Sequence, residues 1–179
     1  MLASILERPA PVFAPPSEYP CRVLRCESGR EIEVQRHLAL RGVTCFVPTF
    51  NKTIRREHRK PEIVVRALFP SYAMAWFGQR EFSLTLNAPH VYELLRFGRH
   101  EAVIEPDEMD RLRAMSELPG TEPWERLPDG AAIRVCSGPL TGATGRILSR
   151  KGALQIIVEV SFLNRLVRVT LQGHEIEKA

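Results

Sequence analysis

Apolar and polar positions along the chain fall into short blocks, and the spacing changes character near residue 118. From Cys21 to Cys26 the run reads as a strand, and Gly29 to Leu40 reads as a helix whose Val34 and Leu38, four residues apart, share one face. Gly42 supplies the left-handed residue that closes such a helix. Val43 to Phe50, rich in β-branched and aromatic residues, predicts a second strand. Ile63 to Phe77 predicts one or two more, interrupted at Pro70, and together with the second strand they form the arms of a long hairpin. Gln79 to Leu86 predicts a short helix and Val91 to Phe97 a strand. Pro106 to Glu117 predicts a better-signalled helix. Proline suits its first position, Asp107, Glu108 and Asp110 favour its positive end, and Met109, Leu112 and Met115 lie in one apolar sector.

Pro119, Gly120, Pro123, Pro128 and Gly130 then crowd into one segment that helix and sheet both tolerate poorly, which predicts a linker. Beyond it only strand-like runs remain: around Ile133 and Val135, Gly145 to Leu148, Leu154 to Phe162 and Leu166 to Leu171, where Val167, Val169 and Leu171 alternate with Leu166, Arg168 and Thr170. Short strands separated by turns in so small a unit predict a closed β-barrel. The expected organisation is a Pro-rich flexible arm (1–18), an α+β unit (19–117) with an antiparallel sheet flanked by helices, a linker (118–128) and an all-β unit (129–179).

Composition narrows the class. With 44% hydrophobic and 26% charged residues the chain is neither disordered by composition nor membrane-like, since no run of about 18 apolar residues occurs. The formal net charge is +4, and the stretch from Lys52 to Lys60 accounts for all of it: Lys52, Arg55, Arg56, Arg59 and Lys60 against Glu57. Cys21, Cys26, Cys45 and Cys136 form no C-x-x-C pair and no metal-ligand cluster, which predicts reduced thiols. The first 17 residues carry Pro9, Pro11, Pro15 and Pro16 and lack the features of a secretion signal, so a cytoplasmic location without membrane attachment is expected.

Asp129 to Leu140, followed by Gly142, Gly145 and Arg146, resembles the KOW motif, in which a strand, a glycine-centred turn and a second strand open an SH3-like barrel. Upstream, Leu68-Phe69-Pro70-Ser71-Tyr72 resembles the Phe-Pro-Gly-Tyr signature of the NusG amino-terminal domain, and Cys45-Phe46-Val47-Pro48 the end of that domain's second strand. Glu175 to Lys178 matches the usual end of such proteins. The chain is thus similar to NusG-family transcription factors and is read as a specialised paralogue. Ser71 replaces the common glycine, implying that the site need not use a positive backbone angle. Residues 162–169 depart from the stretch that in this family contacts Rho or the ribosome.

The resemblance implies a transcription elongation or antitermination factor without catalysis, cofactor or metal. Its amino-terminal domain would dock on the clamp helices of the largest RNA polymerase subunit through Phe69, Pro70, Tyr72 and Phe50, holding the clamp closed. Its KOW domain would recruit a further partner, Rho or the ribosome, through Phe162, Asn164 and Arg165. The basic hairpin, Lys52, Arg55, Arg56, Arg59 and Lys60, has the charge density to reach upstream or non-template DNA. It carries no interleaved aromatics, which argues against base-specific reading by that loop. The alternative is an RNA- or ribosome-binding KOW protein with no polymerase role. Enzymatic readings find little support: the five histidines are scattered, no nucleophile or nucleotide motif occurs, and Asp107, Glu108 and Asp110 are accounted for by the helix dipole. Cys21 and Cys26 sit at strand spacing that puts them on opposite faces.

Overall fold

The computed structural model describes residues 18–55, 60–125, 129–149, 154–160, 163, 165–171 and 175–178. The amino-terminal part contains β1 (Cys21–Cys26), α1 (Glu31–Ala39), β2 (Thr44–Phe46), β3 (Thr49–Ile54), β4 (Glu62–Ala67), β5 (Tyr72–Trp76), α2 (Phe82–Leu86), β6 (Val91–Leu94), β7 (Arg96–Phe97), β8 (His100–Glu101), β9 (Val103–Ile104) and α3 (Pro106–Glu117). After it come β10 (Glu122–Trp124), β11 (Ala132–Val135), β12 (Thr144–Ser149), β13 (Leu154–Val160), β14 (Arg165–Leu171) and β15 (Ile176–Lys178). The architecture is α+β, mostly strands with few helices.

An antiparallel sheet in the order β2-β5-β1-β6, with β9 also on β1, forms the frame of the amino-terminal part. Both its faces are covered. Leu24, Cys26, Ala73 and Ala75 point to one side and pack with Val34 and Leu38 of α1. Val23, Met74 and Trp76 point to the other and pack with Met109, Leu112 and Met115 of α3. The predicted apolar stripes of both helices are therefore their buried faces. Cys21 and Cys26 fall in opposite layers, as their spacing requires. Helix α1 ends as expected: Gly42 takes φ 75° and the Val43 N–H reaches back to the Leu38 carbonyl oxygen at 3.0 Å.

Two predicted runs are divided more finely. Val43 to Phe50 breaks at Val47-Pro48 into β2, in the sheet, and β3, which leaves it to pair with β4 as a separate two-stranded hairpin. The Val91–Phe97 run breaks after Leu94, and its end turns into a second hairpin, β7–β8.

The carboxy-terminal strands form one antiparallel sheet in the order β10-β14-β13-β12-β11-β15. The Ile133, Val158, Val167 and Val169 side chains are buried in the same apolar cluster as α3. The segment expected to be only a linker contributes β10, paired with β14 through Glu122↔Arg168, Pro123↔Val167 and Trp124↔Leu166. Glu122 accepts an ion-pair contact from Arg168 at 2.9 Å, and the same guanidinium lies 5.5 Å from the Trp124 ring centre. Proline is compatible with this strand because it is at the end of the sheet, where a missing N–H breaks no ladder.

Gly145 sits where β12 passes closest to β13: a Cβ there would overlap the Ile157 carbonyl oxygen. Gly145→Ala is expected to destabilise the carboxy-terminal sheet by about 3 kcal/mol, since the obstacle is backbone and cannot rotate away. Urea unfolding and amide exchange in β12 and β13 would check it.

Candidate docking and nucleic-acid surfaces

The Phe69–Tyr72 segment is a tight turn between β4 and β5, closed by the Tyr72 N–H on the Phe69 carbonyl oxygen at 3.2 Å. Pro70 presets the second position, and Ser71 takes φ 72°. The implication that this site need not use a positive backbone angle is not met: the serine itself takes one. What holds a non-glycine residue there is Glu31. Its buried carboxylate accepts the Ser71 N–H at 2.8 Å and the Gly29 N–H at 2.9 Å, while the Ser71 carbonyl oxygen accepts from the Cys26 N–H at 2.9 Å.

This turn sorts the expected polymerase-contact residues. Phe69 is 1% exposed and is core, because the sheet's second face is covered by α3 and the ring completes that layer. Pro70 is exposed, and Tyr72 and Phe50 are half-buried. Val47 and Trp76 are also core. The accessible remainder is Pro70, Tyr72 and, on β3, Phe50, whose cross-strand neighbour is Arg66. Of the residues expected to recruit a carboxy-terminal partner, Phe162 and Asn164 lie outside the described residues. Arg165 is described, and its guanidinium carbon stands 5.9 Å from the Tyr72 ring centre. Two residues assigned to separate surfaces are thus brought together.

On the β3–β4 hairpin, Lys52, Arg55 and Lys60 are exposed; Arg56 and Arg59 lie outside the described residues. Asn51 pairs with Val65 and Thr53 with Ile63, so one face of the hairpin carries Ile63 and Val65, 65% and 41% exposed, and the other carries Lys52.

Among the described residues no group of three histidine, cysteine or acidic side chains is placed to hold a metal ion. Burial pushes the Cys21 and Cys26 thiols from the ordinary 9.0 up to about 12, and raises that of Cys45 further. Glu108 is engaged by Arg111 and Asp110 by Arg113 at 3.4 Å. No helix among the described residues is long and apolar enough to cross a membrane.

The candidate residues stand on a turn and a hairpin at the margin of the amino-terminal sheet rather than in an enclosed cleft. The family model for NusG, described as transcription termination factor NusG, matches residues 22–113, and the chain belongs to the NusG family. NusG-family proteins are non-enzymatic transcription factors that bind RNA polymerase. Among solved structures, the one described as domain interaction in Thermotoga maritima NusG is similar at TM-score 0.60 and 19% identity, covering 90% of this chain and 97% of that one. Two conformations of the MjSpt4:Spt5 complex are more distantly similar, at TM-scores 0.32 and 0.31, with 12% and 11% identity, each covering 89% of this chain and 97% and 96% of theirs. No curated protein matches.

Glu31→Ala is expected to cost about 2–4 kcal/mol, because two inward-facing N–H groups lose their acceptor; Ser71→Gly should be neutral or stabilising by up to about 1 kcal/mol. Denaturant midpoints would check both. Because the folded-state thiol values lie above the unfolded one, the stability that Cys21 and Cys26 contribute is complete below about pH 9 and falls as pH rises towards about 12. Unfolding midpoints of wild type and Cys21→Ala across that range would show the fall shrinking in the variant.

Proposed function

We propose that the protein is a transcription elongation or antitermination factor whose amino-terminal part, residues 19–117, attaches to RNA polymerase at the clamp helices of the largest subunit. The observation that carries this reading is the family match over residues 22–113, which includes the Phe69–Tyr72 turn. The contact residues are Pro70, Tyr72 and Phe50; Phe69 supports them from within the core. Binding to the closed clamp in preference to the open one shifts the polymerase away from paused states, by about 1.4 kcal/mol for each tenfold preference.

The reading extends to residues 129–179 as an SH3-like KOW barrel that recruits a further partner, Rho or the ribosome, on the side bearing Arg165. The β3–β4 hairpin contributes phosphate contacts to upstream or non-template DNA through Lys52, Arg55 and Lys60, with Arg56 and Arg59 beside them in sequence. A purely RNA-binding role is less well supported, since Arg146, a natural phosphate ligand on β12, already donates to the Gly130 carbonyl oxygen at 3.2 Å.

Tyr72→Ala is expected to reduce polymerase capture by about tenfold with little change in the unfolding midpoint. Because Arg165 already lies against that ring, Arg165→Ala should capture polymerase at least as well as wild type. Full capture by Tyr72→Ala would sink the assignment of this surface, and no capture by the wild type would sink the polymerase reading itself. Reversing Arg55, Arg56 and Arg59 to glutamate should weaken salt-sensitive DNA binding and spare polymerase attachment; loss of both would show the two roles are not separate.

A further inference from the structure

The edge of β1 bears a second projection that the functions above do not use. β6 and β9 pair with consecutive parts of the same edge, Leu94 opposite Leu24 and Val103 opposite Arg22. Between them the chain leaves the sheet and returns. The exit is clamped at Val23: the Leu95 N–H donates to the Val23 carbonyl oxygen at 2.8 Å, and the Val23 N–H donates to that of Ala102 at 3.1 Å. The Ala102 N–H closes the neck on the Leu95 carbonyl oxygen at 2.9 Å. What stands outside this neck is the β7–β8 hairpin, with Gly98 and Arg99 at its tip and Gly98 at φ 63°.

The five residues from Arg96 to His100 are all exposed. Phe97 is 56% exposed and faces His100 across the hairpin; Arg96 faces Glu101. Glu101 is committed elsewhere, to Arg22 at 2.6 Å, so its charge faces the sheet edge and leaves Arg96 and Arg99 with a positive excess at the tip. A Cβ on Gly98 would meet nothing within 4 Å beyond its chain neighbours, so the tip of the hairpin stands clear of the rest of the described residues.

We infer that this tip is a contact for single-stranded nucleic acid, with Phe97 as a stacking platform and Arg96 and Arg99 as phosphate ligands. An exposed ring on a hairpin that also carries Arg96 on its other face and Arg99 at its tip suits a partner that offers flat apolar surfaces and negative charge together, which bases and phosphates do. An apolar protein groove would have to desolvate the two guanidinium groups to reach the ring. A duplex keeps its base faces stacked inside, out of reach of a side chain on so short a hairpin. The basic β3–β4 hairpin carries no phenylalanine, tyrosine or tryptophan between Asn51 and Pro61, and its Phe50 is half-buried against the core, so the two projections differ in what they can hold.

The test is fluorescence anisotropy of the full chain at low and moderate salt, using labelled twelve-nucleotide oligothymidylate and oligouridylate and a duplex of the same length. Phe97→Ala is expected to weaken binding to either single strand by about 5- to 100-fold, Phe97→Tyr to retain it, and neither to alter the unfolding midpoint. The double change Arg96→Glu, Arg99→Glu should weaken it too and flatten its salt dependence by roughly one to one and a half units of slope. Binding of one sugar type in preference to the other still supports the site if it depends on Phe97. The inference is overturned if the wild type binds neither strand. Equal binding by Phe97→Ala would also overturn it, as would loss of binding only on changing Lys52 and Arg55 to glutamate. Phe97-dependent capture of a protein without single-strand binding would overturn it as well. Polymerase capture is read separately through Tyr72, so failure here leaves that result standing.

Discussion

The buried carboxylate of Glu31 ties together three pieces of chain on which the proposed docking surface depends. Its oxygen holds the N–H before α1 and the N–H of the turn between β4 and β5, while the turn's carbonyl oxygen is held by the end of β1. A carboxylate is suited to this because each oxygen can accept more than one N–H, so a single side chain satisfies donors from separate elements. Pro70 is exposed and Tyr72 half-buried at that end of the sheet, on a turn that these hydrogen bonds hold closed.

A sheet covered on both faces leaves few places where a partner can touch it. Helix α1 covers one side and α3 the other, so Ala73 and Met74 are both buried although their side chains point in opposite directions. What protrudes is the turn, the β3–β4 hairpin and the β7–β8 hairpin, and the proposed contacts lie there. Projections carry side chains whose substitution costs the fold little, which lets binding properties vary over a constant frame.

Much of this was legible in the residues. Pro106 with its following acids placed the start of α3, and the strand from Cys21 to Cys26 and the divergent directions of its two cysteines followed from period-two spacing. Sequence alone could not show that Glu31, at the start of α1, reaches a turn forty residues away. Phe69 was misplaced because an aromatic beside proline reads equally as surface or core until the second covering layer is known. The predicted strand Val91–Phe97 merged β6 with β7 and stopped before Gly98, because nothing in the local spacing marks Leu95 as the point where the chain leaves the sheet, and β8 went unpredicted. The strand β10 was lost because Pro123 argues against sheet unless the strand is known to be at an edge.

That small strand also sets a length. From the end of α3 at Glu117 to the start of β10 at Glu122 only residues 118–121 intervene, four residues, or about 14 Å of extended chain. With β10 detached, residues 118–131 would intervene before β11, fourteen residues, or about 48 Å. The pairing of Glu122 and Trp124 with Arg168 thus acts as a clasp on a leash. Fastened, it shortens the connection between the two sheets; unfastened, the longer chain would enlarge the volume the second sheet could search.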